Sequence, residues 1–123
     1  MAKRLGRGSV VLVGLPTATP PGHEQEGLRP AVLIGLPEEV GTPRFPLVTV
    51  LPVTRYRQQV WARRSPVLYP VLPAGAGGLR GESVVLLDQI RTVDATRVRR
   101  YLGDLTADQM VPIQRGLRQL LDL

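Results

Sequence analysis

Ser9-Val10-Val11-Leu12-Val13-Gly14-Leu15 carries no charge, is rich in valine, and reads as a β-strand. Working outward from it, the chain repeats the theme: short apolar runs cut by proline and glycine. A loop from Pro16 to Gly27 leads to a second run, Leu28 to Leu36, whose Pro30 lies near the start, where a strand tolerates proline. Pro46 to Val53 reads as a third strand and Val67 to Leu72 as a fourth, with Pro70 marking an edge or a bulge. After a glycine-rich turn from Pro73 to Gly81, Ser83 to Val93 reads as a fifth strand and Arg97 to Leu102 as a short sixth. The period then changes. Thr106 and Gln109 have capping-box spacing, Leu105 and Met110 occupy the places of a hydrophobic staple, and Met110, Ile113, Leu117, Leu120 and Leu121 recur at helical spacing. Pro112 sits against that pattern and predicts a kink or a loosened first turn. Many short strands and one terminal helix predict a mainly β fold, a small, strongly bent antiparallel barrel. Periodicity leaves an SH3-like barrel and an OB-fold equally open.

The 123 residues fit one domain, taken as residues 1–123, and a hydrophobic content of 43% is enough for a real core. The net charge is +6 and Lys3 is the only lysine, so the positive charge is nearly all arginine. Such a balance suits a polyanion partner, and the guanidinium fork grips phosphate with two hydrogen bonds. With no cysteine, disulfides, zinc–thiolate sites and cysteine nucleophiles are excluded. With His23 as the single histidine, a two-histidine metal site within one chain is excluded too. No apolar run approaches the ~20 residues that span a bilayer. The basic start, Met1 to Arg7, lacks the apolar core and cleavage site of a signal peptide, so a cytoplasmic location is expected.

The loop before the second run holds Gly22-His23-Glu24-Gln25-Glu26-Gly27-Leu28-Arg29-Pro30 and concentrates an imidazole, carboxylates, an amide and a guanidinium. On composition alone this is a solvated connection or a functional loop carried on a rigid scaffold. His23-Glu24-Gln25 followed by Arg29-Pro30-Ala31-Val32-Leu33-Ile34 resembles the hallmark loop and second strand of the MazF/PemK family. Val48-Thr49-Val50-Leu51-Pro52-Val53-Thr54 resembles that family's third strand, and Ser83 to Asp94 its fifth-strand signature. Three separated blocks in order and spacing are far more specific than one short motif.

The resemblance implies an SH3-like barrel of the CcdB/PemK type with a C-terminal helix. It implies a homodimeric, sequence-specific endoribonuclease toxin that acts on single-stranded RNA without metal or cofactor and is neutralised by a cognate antitoxin. Cleavage would leave a cyclic phosphate and a 5′-hydroxyl. Arg29 and Thr54 fall at the positions of the catalytic pair, and His23, Glu24, Gln25, Asp88 and Gln89 at positions that line the RNA site.

The chemistry agrees with that assignment. When a ribose hydroxyl attacks phosphorus, negative charge grows on the phosphoryl oxygens, where a guanidinium fork and a hydroxyl donor stabilise it. Arginine is too weak an acid to act first as a proton donor. For the general base, His23 and Glu24 both stay open, because an imidazole titrates in the right range but a loop histidine is more often simply exposed. On a continuous fifth strand, Asp88 and Gln89 would face opposite sides and Arg91 would share Gln89's face. Arg55, Arg57, Arg63 and Arg64, interleaved with Tyr56 and Trp61, suit either single-stranded RNA or a solvated loop. Two other functions compete: a gyrase poison like CcdB, and an RNA-binding module without catalysis. CcdB-like chains carry a tryptophan near the C-terminus, whereas this chain ends Leu120-Leu121-Asp122-Leu123 and has its sole tryptophan at Trp61.

Overall fold

The computed structural model describes residues 5–123, and the basic stretch Met1 to Arg4 lies outside the described residues. Seven antiparallel strands, β1 (Ser9–Leu15), β2 (Gly27–Gly35), β3 (Leu47–Arg55), β4 (Val71–Leu72), β5 (Ser83–Val85), β6 (Arg91–Asp94) and β7 (Val98–Asp104), form one sheet. A short helix α1 (Val60–Arg64) follows β3, and a longer helix α2 (Ala107–Leu121) closes the chain. The sheet order is β4-β5-β3-β2-β1-β7, with β6 also paired to β3.

The lack of alternation in β1 has a physical reason. Val10, Val32, Leu51 and Val53 point into one core with Leu87, Met110 and Ile113, whereas Val13, Ala31, Leu33 and Val50 point into a second core with Val48 and Val93. The central strands β1, β2 and β3 are therefore buried on both faces, and such strands read as continuous apolar runs.

The expected fifth strand is broken. Val85 pairs with Val53 and Arg91 pairs with Val50, so six steps along this segment oppose three along β3. The excess leaves the ladder as a 3-10 turn, Leu87–Gln89. Leu87 fills the first core, and Asp88 and Gln89 are carried out on the turn instead of alternating across a strand. The expected fourth strand shrinks to Val71–Leu72, because the Val67 region turns before Pro70.

The barrel does not close by strand pairing, since β4 and β7 end the hydrogen-bonded order. The gap is filled by a glycine turn. Gly77 and Gly78 both have positive φ, at 56° and 79°, and a Cβ at Gly78 would collide with the Leu102 carbonyl of β7. A Cβ at Gly103 would lie 2.7 Å from the Gly77 carbonyl carbon. Only residues without side chains allow the two backbones this close. The expected class, mainly β with a C-terminal helix, holds, with backbone packing where a last ladder would be.

In α2 the capping box is present in full. Thr106 Oγ1 accepts from the Gln109 backbone N–H, and the Thr106 N–H donates to Gln109 Oε1. Leu105 and Met110 both join the first core, as the staple reading requires. The helix runs through Pro112 without a break in its span. Pro112 and Asp108, whose carbonyl lacks the usual N–H four residues on, are both exposed, so water can take the place of the missing bond. No helix among the described residues is long and apolar enough to cross a membrane.

Candidate active site

Gly27, at φ 82°, turns the chain out of the long loop and into β2, and two residues later Arg29 projects from the strand's start. Ala31 pairs with Pro52. Two residues beyond that pair, on the same side of each strand, stand Arg29 and Thr54. Both line a cleft of about 630 Å³, together with Arg55, Arg57, Arg80 and Arg100. The Arg29 Nε–H donates to the Glu26 carbonyl at 3.1 Å. That bond anchors the guanidinium and leaves both Nη groups without a protein partner among the described residues. Five guanidinium groups around one cleft attract an anion strongly, and the fork geometry suits phosphate.

Thr54 also lines a second cavity, of about 530 Å³. Here the segment after Thr54, read as either an RNA-contacting or a solvated loop, forms α1. Its Trp61 meets Tyr69 edge to face, with ring centroids 4.9 Å apart and planes at 80°. The sequence signal for this helix is weak, because five residues contain no amphipathic period to read. Arg63 and Arg64 occupy its last turn, and neither lines either cavity around Thr54.

Tyr69 Oη donates to Asp88 Oδ2 at 2.6 Å. The hydrogen bond to the carboxylate, with burial and the carboxylate's charge, raises the Tyr69 phenol from 10.0 to about 12. A raised acid favours its neutral form in the fold. This bond therefore contributes stability below pH 10 that disappears as pH rises through about 12. Titrating the Tyr69 ring resonances by NMR should show ionisation near pH 12 in the native protein and a return toward pH 10 in Asp88→Asn. A midpoint unmoved by that substitution would contradict the assignment.

Gln89 does not face the cavity as a free reader. Its Oε1 accepts from the Gln25 backbone N–H at 2.6 Å, and its Nε2 donates to the His23 carbonyl at 3.2 Å. Arg91 donates to the Gln25 carbonyl at 3.1 Å, so it fastens the same loop. Together Gln89 and Arg91 strap the His23–Gln25 segment against the Leu87–Gln89 turn. The structure thus brings His23, Gln25, Asp88, Gln89 and Thr54 around one cavity and Arg29 and Thr54 around the other. Glu24 is exposed and lines neither. Tyr69, which sequence reading passed over, belongs to the site through its bond to Asp88.

Residues 6–121 match the family described as PemK-like, MazF-like toxin of type II toxin-antitoxin system. Endoribonuclease EndoA of Bacillus subtilis (strain 168) is 29% identical over 117 residues, covering 95% of this chain and 94% of the relative. The solved structure of MazF (Form-I) from Deinococcus radiodurans superposes with a TM-score of 0.74 at 28% identity, covering 99% of this chain and 100% of that one. The MazE-MazF (Form-II) structure from the same organism gives a TM-score of 0.66 at 28% identity and covers 95% of each chain.

Proposed function

Since the chain belongs to the PemK-like, MazF-like toxins of type II toxin-antitoxin systems, we propose that it is an endoribonuclease that cuts single-stranded RNA by attack of the ribose 2′-hydroxyl on the adjacent phosphorus. The observation that carries this reading is Arg29 beside Thr54, in a cleft lined by four further arginines. The Arg29 fork holds the two phosphoryl oxygens, and Thr54 donates its hydroxyl as their charge grows. The remaining arginines carry flanking phosphates. His23 shares the second cavity with Thr54, whereas Glu24 lines neither, which favours the imidazole as acceptor of the 2′-hydroxyl proton.

The gyrase-poison alternative loses its support with the family assignment, since a matching relative is named an endoribonuclease. A structure of MazE with MazF among the relatives supports a cognate antitoxin for this chain. An acidic antitoxin segment laid along the arginine cleft would exclude RNA from it. Action on RNA, as a homodimer within the cytoplasm, completes the reading.

The test is direct. The purified protein, with a chelator present, should cut an unstructured transcript and leave cyclic phosphate and 5′-hydroxyl ends. Binding without scission would reassign it as an RNA-binding module, and cleavage of an all-deoxy strand would refute attack by the 2′-hydroxyl.

A further inference from the structure

The cavity between α1 and the Leu87–Gln89 turn shares Thr54 with the arginine cleft, so the two sites adjoin. Its volume of about 530 Å³ lies within the ~300–1,000 Å³ usual for ligand sites. Trp61 is 44% exposed at its rim and offers an indole face on which a base can stack. We propose that this cavity is a nucleobase pocket selective for guanine, with Asp88 accepting from the guanine N1–H and N2–H groups. The proposal rests on the endoribonuclease reading for its place on the RNA, and it adds the base that is read.

The selectivity follows from the single carboxylate in the cavity lining. The Tyr69 phenol proton is committed to Asp88 Oδ2, so toward a ligand the phenol presents only an oxygen lone pair. Its raised pKa keeps it in that form at any ordinary pH. Among the described residues no donor reaches Asp88 Oδ1. The Gln89 carbonyl oxygen and one of its two amide N–H groups are used in strapping the loop. Asp88 is the one carboxylate in the cavity lining, its Oδ1 is open, and a carboxylate calls for a base edge with adjacent donors. Guanine has one, since N1–H and N2–H point the same way and match two carboxylate oxygens. Adenine and cytosine place a ring-nitrogen lone pair beside their amino group, against the carboxylate. Uracil flanks its single N–H with carbonyl oxygens.

Two measurements test this. In the first, fluorescent 2′-O-methyl pentamers of uridine, with guanosine placed at each position in turn, report binding without scission. One guanosine position should tighten binding about tenfold or more. Inosine there, which lacks the 2-amino group, should forfeit part of the gain. Asp88→Asn should abolish the preference, and Trp61→Ala should weaken binding of every pentamer. In the second, sequenced cut ends from a random RNA pool should show guanosine at one fixed place beside the cut, lost in Asp88→Asn with the other preferences kept. Equal binding of all pentamers, or a guanosine preference that survives Asp88→Asn, would overturn the pocket. Guanosine-selective binding with an uncut pool would leave the pocket standing and overturn the endoribonuclease reading instead.

Discussion

Arg29→Ala should slow RNA cleavage about 10²–10³-fold, the usual loss when one preorganised donor to a developing oxyanion is removed. The size of the effect comes from the way Arg29 is held. Its Nε is tied to the Glu26 carbonyl, so the fork enters the reaction already oriented and little entropy is lost when it meets phosphate. Arg29→Lys keeps the charge but loses both the tether and the paired donors, and should recover only a small part of the rate. Because Arg29 is exposed and contributes nothing to either core, neither substitution should move the melting temperature by more than a degree or two. Single-turnover cleavage of a fluorogenic RNA, with thermal melts on the same samples, separates the two effects. Thr54→Val, which keeps the shape and removes the hydroxyl, should lose activity of similar order. An undiminished rate in Arg29→Ala would remove the central step of the mechanism.

How much of this was legible in the sequence depended on whether a signal was local. β1 is read to its end residues because seven uncharged residues buried on both faces leave little else for the stretch to be. The capping box of α2 is equally local, since both partners lie within one turn. The fifth strand misled because nothing between Ser83 and Val93 marks its break. The break exists only as a mismatch of three residues against β3, a long-range property of register. The same break reaches the site, because a continuous strand would put Asp88 and Gln89 on opposite faces whereas the turn carries them together. α1 escaped notice because its helix is too short for a period, and Tyr69 because its role lies in a bond to a residue 19 positions away. The pairing of Arg29 with Thr54 was legible only through family resemblance. The register that brings them together is again non-local.

The substitution expected to cost the fold most is Ile113→Ala, at about 2–5 kcal/mol, the range for removing a fully buried aliphatic side chain that leaves a cavity. Ile113 is 0% exposed and lies in the core that β1, β2 and β3 share with α2. The surroundings have little room to collapse. A Cβ on Gly116, one turn along the same helix, would already strike Leu87 and come within 2.6 Å of the Val67 carbonyl oxygen. At this chain length the loss corresponds to a fall in melting temperature of roughly 10–20 °C. Leu121→Ala, at a position 47% exposed, should cost about 0.5 kcal/mol or less and serves as the control from the same helix. The loss should reach the site before the fold fails, because Ile113 shares its core with Leu87, the buried foot of the turn that presents Asp88 and Gln89. Well below its melting point, Ile113→Ala should therefore bind RNA more weakly, with a raised KM, while the Arg29 and Thr54 step keeps most of its kcat. A variant that melts within a few degrees of the native protein would show that α2 covers the sheet without supporting it. A variant that loses kcat and keeps KM would show that the helix supports the arginine cleft rather than the Asp88 turn.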